Sequence, residues 1–191
     1  MTTTQTKPSY LGLLNAISIA EADAQKYLCA WAATTKDAGV KAVLECVALR
    51  EGEHGVAFAK RINELGFSVR EKEDPTLAGK MEIACSDMSD LEKADALGLG
   101  GNRGPDVSDP FDDMFKDHSI DIQTGALLGR YIAEERDSGR MLTDCYAAMK
   151  AGSNGSASEQ DLQSVNDRLC SIEASIERLD RLMTKGKKAK S

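Results

Sequence analysis

The chain has 191 residues, 41% of them hydrophobic and 29% charged, with four prolines and few aromatics. That is enough to bury one core without disulfides or structural metal, and it favours long helices. A net charge of −7 leaves no extended basic face to neutralise a phosphate backbone, which argues against nucleic acid as a partner. No run approaches the roughly 20 apolar residues that span a bilayer, and residues 1–8 lack the basic and apolar regions of a signal peptide, so a cytoplasmic protein with no membrane partner is expected.

Residues 1–9 read as a flexible tail. A first helix is expected over 10–37, where Leu14, Ile17, Ala24, Leu28 and Trp31 recur at spacings of three and four once Glu21 is admitted to the series. Ala38-Gly39 is expected to end it, glycine taking a left-handed cap. The second helix, 40–65, carries the stripe Val40, Leu44, Val47, Glu51, His54, Phe58, Ile62 and Leu65, and Gly66 closes it. The two make a helical hairpin.

Residues 67–118 gather Asp, Gly, Pro and Ser, with one short helix expected at 89–97. A crossover of this length is normal in bundles whose middle pair of helices runs parallel. The third helix is expected over 119–149, capped by Ser119, with Leu127, Tyr131, Met141, Cys145 and Ala148 on one face. A fourth is expected over 158–183, striped by Leu162, Val165, Leu169, Ile172, Ile176, Leu179 and Met183; residues 185–191 form a basic tail. The reading is all-α: a four-helix bundle over 10–184. The five cysteines (Cys29, Cys46, Cys85, Cys145, Cys170) contain no Cys-x-x-Cys and are expected to pack as small hydrophobes in a reduced core.

Polar groups interrupt these stripes. Glu21 on the first helix, and Glu51 and His54 on the second, stand where apolar residues belong, and an unpaired buried carboxylate costs on the order of several kcal/mol. Glu51 and His54, three apart, face the same way and can meet one metal ion, with Glu21 entering from the facing helix.

The segments Ile19-Ala20-Glu21-Ala22-Asp23-Ala24-Gln25 and Glu51-Gly52-Glu53-His54-Gly55-Val56-Ala57-Phe58-Ala59-Lys60-Arg61 resemble the rubrerythrin branch of the ferritin-like superfamily, over residues 10–66. In that family a Glu on the first helix is followed by Glu-x-x-His on the second. The resemblance extends to Tyr131-Ile132-Ala133-Glu134-Glu135-Arg136-Asp137, which lines up with residues 18–24 and places Glu134 opposite Glu21, with Glu135 as the alternative and Asp137 as a further carboxylate. It fails on the fourth helix, where Glu173-Ala174-Ser175-Ile176 has isoleucine in place of the second histidine.

The resemblance implies a ferritin-like bundle holding one or two iron ions (or manganese or zinc) through Glu21, Glu51, His54, Glu134, Asp137 and Glu173. It further implies diiron ferroxidase or peroxidase activity, an external electron donor and a homodimer or larger homo-oligomer. The alternative is a metal-free bundle serving as an interaction or structural module.

Overall fold

The computed structural model describes residues 6–99 and 116–153, which form five helices and, among the described residues, no strand. The chain divides into two compact units, Met1–Met149 and Lys150–Ser191; of the second, only the end of the fifth helix is described. The expected fourth helix, with Glu173 and Ile176, and the basic tail lie outside the described residues. No helix among those described is long and apolar enough to cross a membrane.

Helix α1 spans Leu11–Thr34 and α2 spans Ala38–Glu64. They pack as an antiparallel hairpin. The turn between them differs from the sequence expectation: Gly39 lies in the first turn of α2 instead of terminating α1. Asp37 caps that turn, its Oδ1 accepting from the amides of Gly39 at 2.7 Å and Val40 at 3.0 Å. At the other end Gly66 takes φ of 78°, and the amide of Phe67 donates to the carbonyl of Ile62, the six-to-one bond of a Schellman cap.

Two small residues set how closely the hairpin helices approach. A Cβ on Gly55 would lie 3.2 Å from both the Ala22 nitrogen and the Ser18 carbonyl oxygen of α1. Ser18 also donates its hydroxyl to the Gly55 carbonyl at 3.0 Å.

The crossover carries two helices where one was expected. Helix α3 spans Leu77–Cys85, and α4 spans Asp90–Ala96, opened by a capping box between Ser89 and Glu92. Both dock at the far end of α1. Asp90 accepts from the Trp31 indole at 2.6 Å and the Thr35 hydroxyl at 2.6 Å, while buried Lys93 donates to the Thr34 hydroxyl and the Ala84 carbonyl. Lys93 thereby places a cation where the C-terminal ends of α1 and α3 meet, a site that helix dipoles favour.

Helix α5 spans Ile122–Ser153, starting later than expected and under a different cap. Asp121, not Ser119, accepts from the amides of Gln123 and Thr124, both at 3.0 Å. Its direction also corrects the expectation. Arg61 reaches Asp121, His54 reaches Glu134 and Arg50 reaches Asp137, so α5 runs antiparallel to α2 and parallel to α1.

The buried apolar residues form two clusters. One gathers Tyr10, Leu14, Ile17, Phe58, Ile62, Leu128 and Tyr131; the other gathers Leu28, Trp31, Val40, Leu44, Val47, Ala84 and Ala94, with Leu142, Cys145 and Met149 against it. Two cysteines depart from the expected core role, since Cys29 and Cys85 are exposed. Between the clusters, at the same level on all three long helices, lies a layer of acidic and imidazole side chains.

Candidate metal centre

Each long helix contributes to this layer at a position its apolar stripe dictates. On α1, Glu21 falls between Ile17 and Leu28; on α2, Glu51 and His54 fall between Val47 and Phe58. All three residues are buried. On α5 the inward row is Thr124, Leu128, Tyr131, Glu135, Ser138, Leu142, Cys145 and Met149, a strict alternation of fours and threes. One ligating atom from each of Glu21, Glu51, His54 and Glu135 lies within 4.8 Å of the others.

Of the residues read from the sequence, Glu21, Glu51 and His54 therefore converge, and the position expected for Glu134 is taken by Glu135. Glu134 lies one step around the helix. Its Oε2 sits 2.8 Å from His54 Nε2, and its Oε1 accepts from Arg130 Nε at 2.9 Å. Asp137 stays outside the cluster, paired with Arg50 at 2.7 Å and Arg140 at 2.9 Å. Tyr131 has a role the sequence did not single out, donating its hydroxyl to Glu21 Oε1 at 2.7 Å.

Burial and mutual repulsion govern the electrostatics. Burial pushes the Glu51 carboxyl up to about 10, and neighbouring Glu21 and Glu135 add to the shift, so without a cation this residue holds a proton at neutral pH. Burial and the same carboxylates push Tyr27 up to about 12 and Tyr131 beyond the usual phenol range, so both remain hydroxyl donors. Burial disfavours the charged form of His54, but Glu135 and Glu134 outweigh it and raise its pKa. The opposite balance holds at Glu134: burial pushes it up, while His54 and Arg130 together bring it below the ordinary carboxylate range.

Two atoms of the layer are buried without a hydrogen-bond partner, His54 Nδ1 and Glu135 Oε1, and they face each other at 3.3 Å. In the neutral tautomer that donates Nε2–H to Glu134, the form a metal ion selects, the Nδ1 lone pair faces Glu135 and the neighbouring carboxylates. That donor set of three carboxylates and one imidazole suits iron(II), manganese(II) or zinc(II). Comparison with protein-family models, curated proteins and solved structures found no match for the chain.

Proposed function

We propose that the protein binds a divalent transition metal, iron or a similar ion, through Glu21, Glu51, His54 and Glu135. The observation that carries this reading is the pair of buried atoms without a hydrogen bond, His54 Nδ1 and Glu135 Oε1, 3.3 Å apart within a cluster of three carboxylates. A cation satisfies both atoms and offsets the burial and carboxylate repulsion that otherwise keep Glu51 protonated. Titration calorimetry of the purified, chelator-treated protein with iron(II), manganese(II) and zinc(II) tests it, with His54→Ala as control. Binding near one equivalent that the variant weakens at least about 100-fold is expected. No binding, with an unchanged melting temperature, would end the metal reading.

The hairpin residues Glu21 and Glu51-x-x-His54 further support a rubrerythrin-like, ferritin-like kinship, with ferroxidase or peroxidase chemistry as the activity. Metal ions in such a site supply redox equivalents and stabilise developing negative charge on oxygen. The chain's own residues would bind and orient the ion: Glu134 fixes the His54 ring, and Tyr131 holds Glu21. Electrons for turnover would come from an external donor. Consumption of hydrogen peroxide by the iron-loaded protein with a small-molecule reductant supplied in excess, lost in Glu135→Ala, is the assay.

A second reading is favoured by the hydrogen bonds Tyr131 to Glu21 and His54 to Glu134, which satisfy part of the layer without any ion. In that case the bundle serves as a metal-free interaction module. The same calorimetry separates the two.

A further inference from the structure

The two sides of α2 differ in what their grooves reach. The groove of about 950 Å³ between α1, α2 and residues 69–81 has none of the four ligand residues in its lining. A second groove, of about 690 Å³, runs between α2 and α5, and His54, Tyr131 and Glu134 lie in its lining. Leu49, Val56 and Ala57 wall it from α2, and Leu127 from α5. This second groove therefore leads from solvent to a ligand of the centre.

Its charged groups form a series running inward. The Glu53 side chain is 64% exposed and that of Glu134 31%, while the His54 ring, which Glu134 Oε2 holds at 2.8 Å, is 6% exposed. Arg130 joins the two carboxylates, with Nε 2.9 Å from Glu134 Oε1 and Nη2 3.8 Å from Glu53 Oε2. Its guanidinium thus stands at the mouth, where these carboxylates would hold a cation. Exposed pairs of this kind are weak, so a divalent ion displaces the guanidinium readily. Two carboxylates against one guanidinium leave the lining net negative, and apolar walls of low dielectric concentrate that field within the groove.

We propose that this groove is the entry port of the metal centre. A divalent cation is first caught between Glu53 and Glu134 Oε1 in place of Arg130, while Oε2 keeps its bond to His54, and then passes inward beside the imidazole ring. Arg130 is the gate: a tethered monovalent cation that yields only to an ion held more strongly. The port rests on the metal reading above, but it governs the rate of uptake, whereas that reading concerns affinity. A group that acts only on the route changes uptake and release by the same factor and leaves the dissociation constant alone.

The test is stopped-flow uptake of zinc(II) by the chelator-treated full-length protein, followed by competition with a weak zinc-indicator dye. Calorimetry gives the dissociation constant of each variant. At low salt Glu53→Gln is expected to slow uptake about three- to tenfold and Arg130→Gln to speed it about threefold. Both differences should shrink in about 1 M salt, where the Debye length is about 3 Å. Release from Glu53→Gln should slow in step, keeping its dissociation constant within about twofold of wild type. Ala57→Trp, which fills the port, should also slow uptake, while Ala78→Trp, which fills the other groove, should not. Circular dichroism checks that both keep wild-type helicity. If either Glu53→Gln or Ala57→Trp takes up zinc at the wild-type rate, or Ala78→Trp slows it equally, the port is overturned. A Glu53→Gln variant with unchanged release and weakened affinity also overturns it, because Glu53 would then hold the bound ion itself. A wild type with no heat of zinc binding ends the metal reading instead, and the port with it.

Discussion

A carboxylate removed from water needs a cation, a donor or a proton, and Glu51 lies beside two more carboxylates with the same need. Its proton has a consequence for stability. With the folded pKa near 10 and the unfolded value near the ordinary carboxylate range, the contribution is complete below about pH 4 and is lost as pH rises toward 10. Glu51→Gln removes this dependence, so the chelator-treated variant should be clearly more stable than wild type at pH 8 and match it near pH 4. Thermal melts at the two pH values check this; parallel curves would refute it. The same variant should lose metal affinity. On α5, Glu135→Ala should abolish binding while Glu134→Ala weakens it about tenfold, because the first donates to the ion and the second only holds His54. Calorimetry of the two variants distinguishes those roles. The choice between these neighbours was the least legible feature of the site. Leu127 beside Leu128, Met141 beside Leu142 and Ala148 beside Met149 support two helical phases about 100° apart, one placing Glu134 inward and the other Glu135. Thr124, Tyr131, Ser138 and Cys145 fit both phases, so periodicity alone does not separate them; the full burial of Leu128, and not of Leu127, selects the phase of Glu135.

The hairpin that carries three of the four site residues was readable because its polar positions interrupt an otherwise continuous stripe. Its turn was misplaced because glycine serves both as a helix terminator and as a tolerated first-turn residue, and only the side-chain bonds from Asp37 decide. The direction of α5 was not readable. It depends on distant contacts such as Tyr10 to Asp121 at 2.7 Å, which no local periodicity encodes. Close approach of α1 and α2 gives a sharp contrast between two glycines. Gly55→Ala places a methyl against α1 backbone and should cost about 1–3 kcal/mol through helix displacement. Gly52→Ala meets only the flexible Gln25 side chain and gains about 1 kcal/mol of helix propensity, so its denaturation midpoint should stay near wild type. At the start of α5, partial burial pushes the Asp121 carboxyl up, but bonds from Thr124, Tyr10 and Arg61 outweigh it and hold it well below the usual range. The resulting stability is present above the ordinary carboxylate pKa and disappears in stronger acid. Asp121→Ala should cost about 1–2 kcal/mol in urea denaturation at pH 7, the value of a lost helix cap, with the deficit shrinking below pH 3.

At the scale of the molecule, two apolar clusters enclose one polar layer, and the long helices cross all three zones. The second cluster holds the chain's one tryptophan. Trp31 is 2% exposed, and its indole N–H is bound to Asp90 of the crossover. It lies about 15 Å along α1 from Glu21, beyond contact with any ion in the polar layer. The protein thus carries its own optical gauge for one of its two cores. Emission should shift to longer wavelength when Asp90→Ala loosens the crossover, yet keep its maximum when zinc, which does not absorb in this range, fills the centre. A titration followed at both the emission maximum and the heat of binding would then report the docking of the crossover and the filling of the centre as separate events, without a label attached to either.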